Sequence, residues 1–417
     1  MLLHSDQSSF GSIPMTPAFP LLEFFFFDAG GGHRSAAMAL RAAIADRFPR
    51  WRVDLVNLQE VLQPFDPVQK LTGVQSQDVY NGLLKRGWSV GPFFLRRLQQ
   101  AIRLCTSPME SLLQKHWHGS HPDLVVSLIP NFNGVMFRAL RRVHPYVPYV
   151  TVMTDLADYP PHFWQEKQDQ FIICGSTMAV RQAQATGYRP EQIFRTSGMI
   201  LKPQFYQDGQ CGDESDRRSV RVQLGLDPGL PTALVMFGGF GAKTAVEIVD
   251  RLDRSGLGVQ SIVLCGHNEK LRQELQGRES CHAVGFTERV PHYMRLADFF
   301  IGKPGPGSIS EAVHMGLPVI IEGNSRTMPQ ERYNTAWVKE QQLGVTINSF
   351  RHLAKAVQCL LENNRLEQLR QNTRQITNRA VYEIPEMLER ILRSGPVMSQ
   401  FLMTNAGKTS PLLRSPD

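Results

Sequence analysis

The feature that most constrains the fold of this chain is a glycine-containing turn between an apolar run and a helical segment. The apolar run covers residues 297–301, a helix is predicted over 308–315, and the turn reads Lys303-Pro304-Gly305-Pro306-Gly307-Ser308. Its two glycines allow backbone N–H groups to approach an anion without interference from a Cβ. The helix that follows offers unpaired N–H donors and the positive end of its dipole. The turn therefore predicts a phosphate site at the end of a buried strand.

Glu311 lies about one turn into the same helix, too far along it to contact that phosphate. A carboxylate at this distance suits the hydroxyls of a ribose, as in dinucleotide-binding folds. Together the turn and Glu311 predict that the chain binds a nucleoside diphosphate. The local alternative is a Gly-Pro turn followed by a solvated glutamate.

Strands and helices alternate along the chain in two series. Strands of the first series are predicted at residues 22–27, 52–57, 124–129, 149–154 and 171–174. Strands of the second series are predicted at 233–237, 261–265, 283–286, 299–301 and 318–321. In each series a glycine turn follows the first strand, as in mononucleotide-binding βα units. The pattern predicts an α/β protein with two Rossmann-like domains, each with its ligand edge at the carboxyl ends of the strands.

At 417 residues, the chain is long enough for two domains of roughly 200 residues each. We expect the following division: a flexible leader at 1–20, an acceptor-binding and membrane-binding domain at 21–206, a polar linker at 207–219, a nucleotide-sugar domain at 220–394 and a disordered tail at 395–417. The final helices are predicted at 351–361 and 376–393, and the last one is expected to pack back on the first domain.

The composition, with 42% hydrophobic and 20% charged residues, is ordinary for a globular protein. The net charge of +7 favours an anionic partner, but it does not distinguish a nucleotide from a nucleic acid or an anionic lipid. The six cysteines are scattered without metal-binding spacing, which favours a reducing cytoplasmic location.

No apolar run approaches the roughly 18–20 residues of a membrane span. The apolar stretch at 21–27 is interrupted by Glu23 and follows no basic region, so a signal peptide is not expected.

An insertion at about 59–119 has no strong strand signals but interleaves basic and apolar residues. The residues concerned are Trp88, Phe93, Phe94, Arg96, Arg97 and Arg103. This pattern is typical of an amphipathic surface at a membrane interface, and the alternative is a helix packed on its own domain. Nucleic-acid binding is not expected, since no RNP, KH or helix-turn-helix pattern accompanies the charge. We expect a peripheral protein at the cytoplasmic face of an anionic membrane.

Several motifs resemble those of a known family. The matching segments are residues 28–37, 122–123, 152–156, 174–176, 265–268, 303–318, 329–331 and Asn334. They are similar to the monogalactosyldiacylglycerol synthases and the related processive diacylglycerol glucosyltransferases, which share a family with the N-acetylglucosaminyltransferase that makes lipid II. The resemblance spans about 22–390 and implies the GT-B fold, in which two Rossmann-like domains face a central cleft. It also implies transfer of a hexose from a UDP-sugar to diacylglycerol or a similar lipid.

The resemblance implies a role for each matching residue on the donor side. The ribose would be held by Glu311, the diphosphate by Gly305, Gly307 and Ser308, the uracil by Gly285 and Phe286, and the sugar hydroxyls by Gln330, Glu331 and Asn334. The glycine loops after the first two strands of this domain, with Gly238, Gly239 and Gly266, would complete the donor site.

On the acceptor side the resemblance makes His33 the base that deprotonates the acceptor hydroxyl, beside Gly31 and Gly32. An alcohol is a poor nucleophile at neutral pH, so a positioned base is needed. Asp28 and Asp155 are the candidates to orient His33, and either carboxylate would raise its pKa above about 6.5. The alternative is that His33 caps its helix.

The UDP-sugar is a substrate, and we expect no cofactor. Asp155 has no second aspartate with which to form the DxD pair that would hold a metal ion. The 305–308 turn would instead stabilise the leaving UDP. Direct displacement would invert the donor and give a β-glycolipid.

The chain departs from the family pattern at two positions. Ile129-Pro130 stands where the synthases commonly have His-Pro, and Phe240 stands where their glycine loop usually has Glu. These changes leave open a sugar-nucleotide-binding protein that has lost transfer. A UDP-sugar epimerase is a second alternative, because epimerases share the two-domain fold.

Overall fold

The computed structural model describes residues 19–28, 32–65, 106–207, 214–239, 241–325 and 327–395. Within these residues the chain forms two six-stranded sheets, and every neighbouring pair of strands is parallel. Helices connect most of the successive strands, as parallel pairing favours, and residues 153–170 join two strands without a helix. The predicted α/β class with two Rossmann-like domains is confirmed.

The first sheet has the strand order β2-β1-β3-β4-β5-β6. Its strands are β1 Leu21–Phe26, β2 Arg52–Asn57, β3 Leu124–Ser127, β4 Tyr149–Val152, β5 Phe171–Cys174 and β6 Ile193–Arg195. Its helices are α1 Gly32–Arg47, α2 Leu58–Leu62, α3 Thr106–Gly119, α4 Asn133–Val143, α5 Thr177–Thr186 and α6 Gln204–Gln207. The central strands β3, β4 and β5 are buried at every position, as expected for a parallel sheet covered on both faces.

The second sheet has the strand order β12-β11-β10-β7-β8-β9. Its strands are β7 Thr232–Met236, β8 Gln260–Leu264, β9 Cys281–Val284, β10 Phe299–Gly302, β11 Val319–Glu322 and β12 Gly344–Ile347. Its helices are α7 Glu214–Gln223, α8 Thr244–Arg254, α9 Glu269–Leu275, α10 Val290–Leu296, α11 Pro306–His314, α12 Pro329–Glu340, α13 Leu353–Leu361 and α14 Arg365–Gln375. One core fills each face of this sheet.

The last helix, α15 Ala380–Ser394, packs on the first sheet although it follows the second sheet in the chain. Its buried residues Val381, Ile384, Leu388 and Ile391 recur every three or four positions, so they share one face of the helix. That face contacts α1 and joins the apolar core of the first sheet. The structure therefore places this helix in the N-terminal domain.

Some elements differ from those predicted. The short strands β6 and β12 and the helix α14 were not predicted, and α15 begins at Ala380 rather than at residue 376. The strand predicted at 124–129 ends at Ser127, although Leu128 and Ile129 are also fully buried. Apolar residues just beyond a strand look the same in sequence as those within it. The membrane-facing residues of the predicted insertion lie outside the described residues, as do most of the predicted leader and tail and residues 208–213 of the predicted linker. Residues 214–219 of that linker belong to α7.

We expect Leu388→Ala to destabilise the protein strongly, because Leu388 is fully buried between α15 and the first sheet. Loss of a buried leucine side chain typically costs about 2–5 kcal/mol of unfolding free energy. Glu386→Ala on the exposed side of α15 is the matched control and should cost less than about 1 kcal/mol. Urea unfolding measures both, and equal stabilities of the two variants would contradict this packing.

Candidate active site

The predicted site residues lie where strands of the two sheets end. His33 follows β1, Asp155 follows β4, and the 305–308 turn follows β10. Ligands of open parallel sheets bind at the carboxyl ends of the strands. The site is therefore built from this edge of both sheets.

The 305–308 turn connects β10 to α11, which begins at Pro306. Proline at the first helical position has no N–H to leave unpaired and presets the helical φ. The side-chain amide of Asn334 donates to the Pro304 carbonyl at 2.7 Å, and the Ser308 hydroxyl donates to the Gly305 carbonyl at 3.3 Å. These bonds fix the loop so that the first N–H groups of α11 are presented to a ligand.

Three predicted sugar-binding residues lie on α12, next to this turn. Glu331 is buried with its carboxylate 3.5 Å from the Lys303 ammonium, and Gln330 is half-buried. Asn334 is 0% exposed and lies beneath Pro304, so in this structure it supports the turn instead of facing the cleft. The predicted contact of Asn334 with sugar hydroxyls stays a prediction.

Glu311 also lies in a buried environment, where desolvation raises the pKa of its carboxyl to about 7. The Lys202 ammonium opposes this shift by favouring the carboxylate. Lys202 belongs to the chain crossing between the two domains and brings a positive charge to the donor side of the cleft. Sequence reasoning missed Lys202, because a single lysine in an irregular segment follows no pattern.

Phe286, predicted to flank the uracil, is 58% exposed and stacks on the imidazole of His267. The ring centroids are 4.0 Å apart and the ring planes differ by 14°. An exposed aromatic face supported from behind fits a flat base. Gly285 precedes this platform in the chain, and His267, missed from sequence, completes it.

The glycine loops behind the platform pack against each other. Gly266 has a φ of 57°, and a Cβ at this position would collide with the Gly239 carbonyl. The His267 N–H donates to the same carbonyl at 2.8 Å. Gly238, with a φ of 80°, makes the turn that brings Gly239 there. These glycines are needed for the close approach of the loops.

His33 is half-buried near the start of α1, with its Nδ1 3.2 Å from the Thr154 hydroxyl. Desolvation lowers its pKa to about 4, although a hydrogen bond to the Leu128 backbone opposes the shift. The predicted upward shift caused by Asp28 or Asp155 is therefore wrong in direction. Asp28 pairs with Arg34 at 2.8 Å. Burial thus favours the neutral form of the His33 imidazole.

Asp155 is 9% exposed, and its Oδ2 accepts a hydrogen bond from the Trp164 indole at 2.9 Å. Burial raises the pKa of its carboxyl to about 7, and the charges of Glu331 and Lys303 act on it in opposite directions. Both of these residues belong to the C-terminal domain. Asp155 of the N-terminal domain and the predicted donor-binding Glu331 are therefore close enough for their charges to interact.

The structure describes only some of the other predicted site residues. Gly32 opens α1 on the surface, whereas Gly31, Phe240 and the predicted membrane-facing residues lie outside the described ranges. Within the described ranges, no group of three or more His, Cys, Asp or Glu side chains could hold a metal ion. Trp164 and Thr154, which contact Asp155 and His33, were missed from sequence. The first contact lies in an irregular loop without a periodic pattern, and the second joins residues far apart in the chain.

Comparisons with known proteins agree with this architecture. Residues 232–388 match the glycosyltransferase family 28 C-terminal domain. The crystal structure of MurG from Acinetobacter baumannii has a TM-score of 0.59 at 11% identity, covering 89% of this chain and all (100%) of that one. HepE from Anabaena, in complex with UDP-glucose, has a TM-score of 0.52 at 15% identity, covering 89% and 100%. The fold is that of the GT-B glycosyltransferases.

Within this class, the chain is related to monogalactosyldiacylglycerol synthases, and the resemblance predicted from its motifs is confirmed. The chloroplastic enzyme of Spinacia oleracea is 29% identical over 399 residues, which are 90% of this chain and 73% of that protein. Synthase 1 of Arabidopsis thaliana is 29% identical over 402 residues, with 90% and 72% covered.

We expect Glu311→Ala to weaken UDP binding by about 10- to 150-fold. Loss of a hydrogen bond to a charged group typically costs about 1.5–3 kcal/mol. Glu274→Ala, on the exposed face of α9 in the same domain, is the matched control and should bind UDP like the parent. Calorimetric titration with UDP provides the measurement, and an unchanged Kd for Glu311→Ala would remove Glu311 from the nucleotide site.

Proposed function

We propose that this chain transfers a hexose from a UDP-sugar to diacylglycerol or a related membrane lipid, with inversion to a β-glycolipid. The observation that carries the proposal is the 305–308 turn with Glu311 behind it, opposite Asp155 and His33. It occurs in a chain related over 90% of its length to monogalactosyldiacylglycerol synthases. A nucleotide site facing titratable side chains across a cleft is what a transferase of this class requires.

On the donor side, the diphosphate lies against the 305–308 turn and the first N–H groups of α11. Glu311 holds the ribose, and the uracil lies on the Phe286–His267 platform. Lys202 and Lys303 border this site and offset the charge that grows on the departing UDP. Stabilisation of the leaving group is therefore assigned to helix N–H groups and lysines, with no metal ion and no cofactor.

On the acceptor side, the lipid hydroxyl enters from the N-terminal domain and attacks the anomeric carbon opposite the bond to UDP. A single displacement inverts the configuration, so an α-linked donor gives a β-linked product. No helix within the described ranges is long and apolar enough to cross a membrane. We assign the enzyme to a membrane surface, at the cytoplasmic face, because its acceptor is a lipid.

Two other functions are less well supported. An epimerase would share the fold, but the two relatives described above, which match over 90% of this chain, are synthases. A binding protein without activity would not need a base, yet His33, Asp155 and Glu311 are all present in the cleft.

The purified protein, incubated with UDP-galactose, UDP-glucose or UDP-N-acetylglucosamine and diacylglycerol vesicles, should release UDP and form one glycolipid. Because no metal is assigned to the leaving group, turnover should persist in excess EDTA. Separation of labelled lipids measures the product. Formation of an epimerised nucleotide without glycolipid would contradict the proposal, and loss of turnover in EDTA that Mg²⁺ restores would contradict its metal-free part.

The membrane assignment predicts that replacing Arg96, Arg97 and Arg103 by glutamine lowers binding to anionic vesicles. Each basic residue near anionic lipid is worth about 1 kcal/mol, so the triple variant should bind on the order of 100-fold more weakly. Vesicle sedimentation measures binding, and UDP affinity should not change.

The charge-matched control replaces three exposed arginines of the C-terminal domain, Arg254, Arg351 and Arg365, by glutamine. It should bind vesicles more tightly than the first variant. Equal losses in both variants would attribute binding to net charge alone, and no loss in the first would assign its segment to the protein interior.

A further inference from the structure

Asn131 lies at the ligand edge of the first sheet, just beyond the end of β3. In the strand order, β3 lies between β1 and β4. His33 follows β1 and Thr154 follows β4, and the His33 Nδ1 lies 3.2 Å from the Thr154 hydroxyl. This contact passes over the end of β3, so the segment after β3 lies next to His33. Among residues 128–132 of that segment, only Asn131 has a polar side chain.

The backbone around Asn131 is fixed to the loop that follows β4. The Asn131 N–H donates to the Phe163 carbonyl at 2.6 Å, and the Asn133 side-chain amide donates to the Trp164 carbonyl at 3.3 Å. The centroid of the Trp164 ring lies 5.9 Å from that of the His33 ring. Two hydrogen bonds and one ring contact therefore hold Asn131 in the neighbourhood of His33.

The backbone of Asn131 is left-handed, with a φ of 69°. Residues other than glycine rarely adopt this conformation, although asparagine tolerates it better than most. Glycine would adopt it without strain, so the conformation alone does not explain the asparagine side chain. Strained residues of this kind cluster at ligand sites, where the surrounding structure holds them in place.

The side-chain oxygen of Asn131 is buried and accepts no hydrogen bond within the described ranges. Asparagine near the start of a helix often caps it, but this oxygen does not cap α4, which begins at Asn133. Buried polar atoms of proteins are nearly always paired, so this oxygen suits a partner that the protein itself does not supply. The amide can also rotate toward a ligand without breaking a hydrogen bond.

Resting on the transferase function proposed above, we infer that Asn131 binds the headgroup of the diacylglycerol acceptor beside His33. A side-chain amide has one acceptor oxygen and two N–H donors. The headgroup presents the complementary pair, a hydroxyl that donates and a neighbouring ester carbonyl that accepts. The hydroxyl donates to Oδ1 of Asn131, and Nδ2 donates to the ester carbonyl. The reacting hydroxyl is thereby held next to His33.

Asn131→Gly tests the inference, because glycine adopts the same φ without strain and removes only the amide. With dioctanoylglycerol as acceptor, we expect the KM for the lipid to rise by about 3- to 10-fold, the usual effect of losing a hydrogen bond between uncharged groups. The kcat should stay within about threefold of the parent value, and the Kd for UDP should not change. Urea unfolding should give a stability close to that of the parent.

Asn364→Gly is the matched control. Asn364 is an exposed asparagine with a φ of 57° at the start of α14, and its side chain makes no capping hydrogen bond. This variant makes the same chemical change at the same backbone conformation in the other domain. It should keep the parent KM for the lipid.

A second measurement uses the ether analogue dioctylglycerol, which keeps the hydroxyl but has no ester carbonyl. The parent should have a lower KM for the ester lipid than for the ether lipid, because only the ester can accept from Nδ2 of Asn131. Asn131→Gly should lose most of this preference. A parent without the preference, or a variant that keeps it, would overturn the inference.

A KM of Asn131→Gly for dioctanoylglycerol within about twofold of the parent value would also overturn the inference, while the transferase function stands. Failure of that function has a different signature: the parent forms no glycolipid from any UDP-hexose while still binding UDP. That result would overturn the role of Asn131 as well.

Discussion

The two chain crossings between the sheets are hydrogen-bonded to each other, and the geometry of the cleft depends on this contact. The Asn378 side chain donates to the Met199 carbonyl at 2.9 Å, and the Arg379 N–H donates to the Ser197 hydroxyl at 2.7 Å. The Ser197 N–H donates in turn to the Glu383 carboxylate at 2.7 Å. The segment that leaves the first sheet and the segment that returns to it are thus held together at one joint. This joint sets the distance between the ligand-binding edges of the two sheets.

This joint explains why groups that are distant in sequence affect one another. It brings Lys202 beside Glu311, and it sets Asp155 opposite Glu331 and Lys303. Both carboxyl groups, Asp155 and Glu311, are raised to about pKa 7 mainly by burial. The cleft thus holds two acids that titrate near neutrality, each with a lysine that opposes the shift. A bound diphosphate would change the protonation of both, so donor binding and proton uptake are coupled.

The sequence predicted the features that are local or periodic. Alternating apolar runs and helices predicted both sheets, and the 305–308 turn was recognised because a strand, a glycine turn and a helix follow one another directly. The features that it did not reveal depend on packing between distant segments. The pKa of His33 is lowered by desolvation that only the folded cleft imposes. Asn334 lies under the turn through a contact between separate elements, and Trp164 contacts Asp155 within one irregular segment that has no periodic pattern. The edge strand β6 is too short to form a pattern, and the edge strand β12 is mostly half-buried, so it lacks the continuous apolar run of the central strands.

The return of α15 to the first sheet has a consequence for biosynthesis. Domains of a growing chain generally fold in order, with the N-terminal one first. Here the apolar face of α1, including Ala37 and Leu40, is covered by a helix that ends at Ser394. A ribosome has therefore made almost all of the second domain before the first can close its core. During translation this face of α1 stays exposed until α15 has been made. A chaperone that binds apolar helices therefore has the most time to bind at this face.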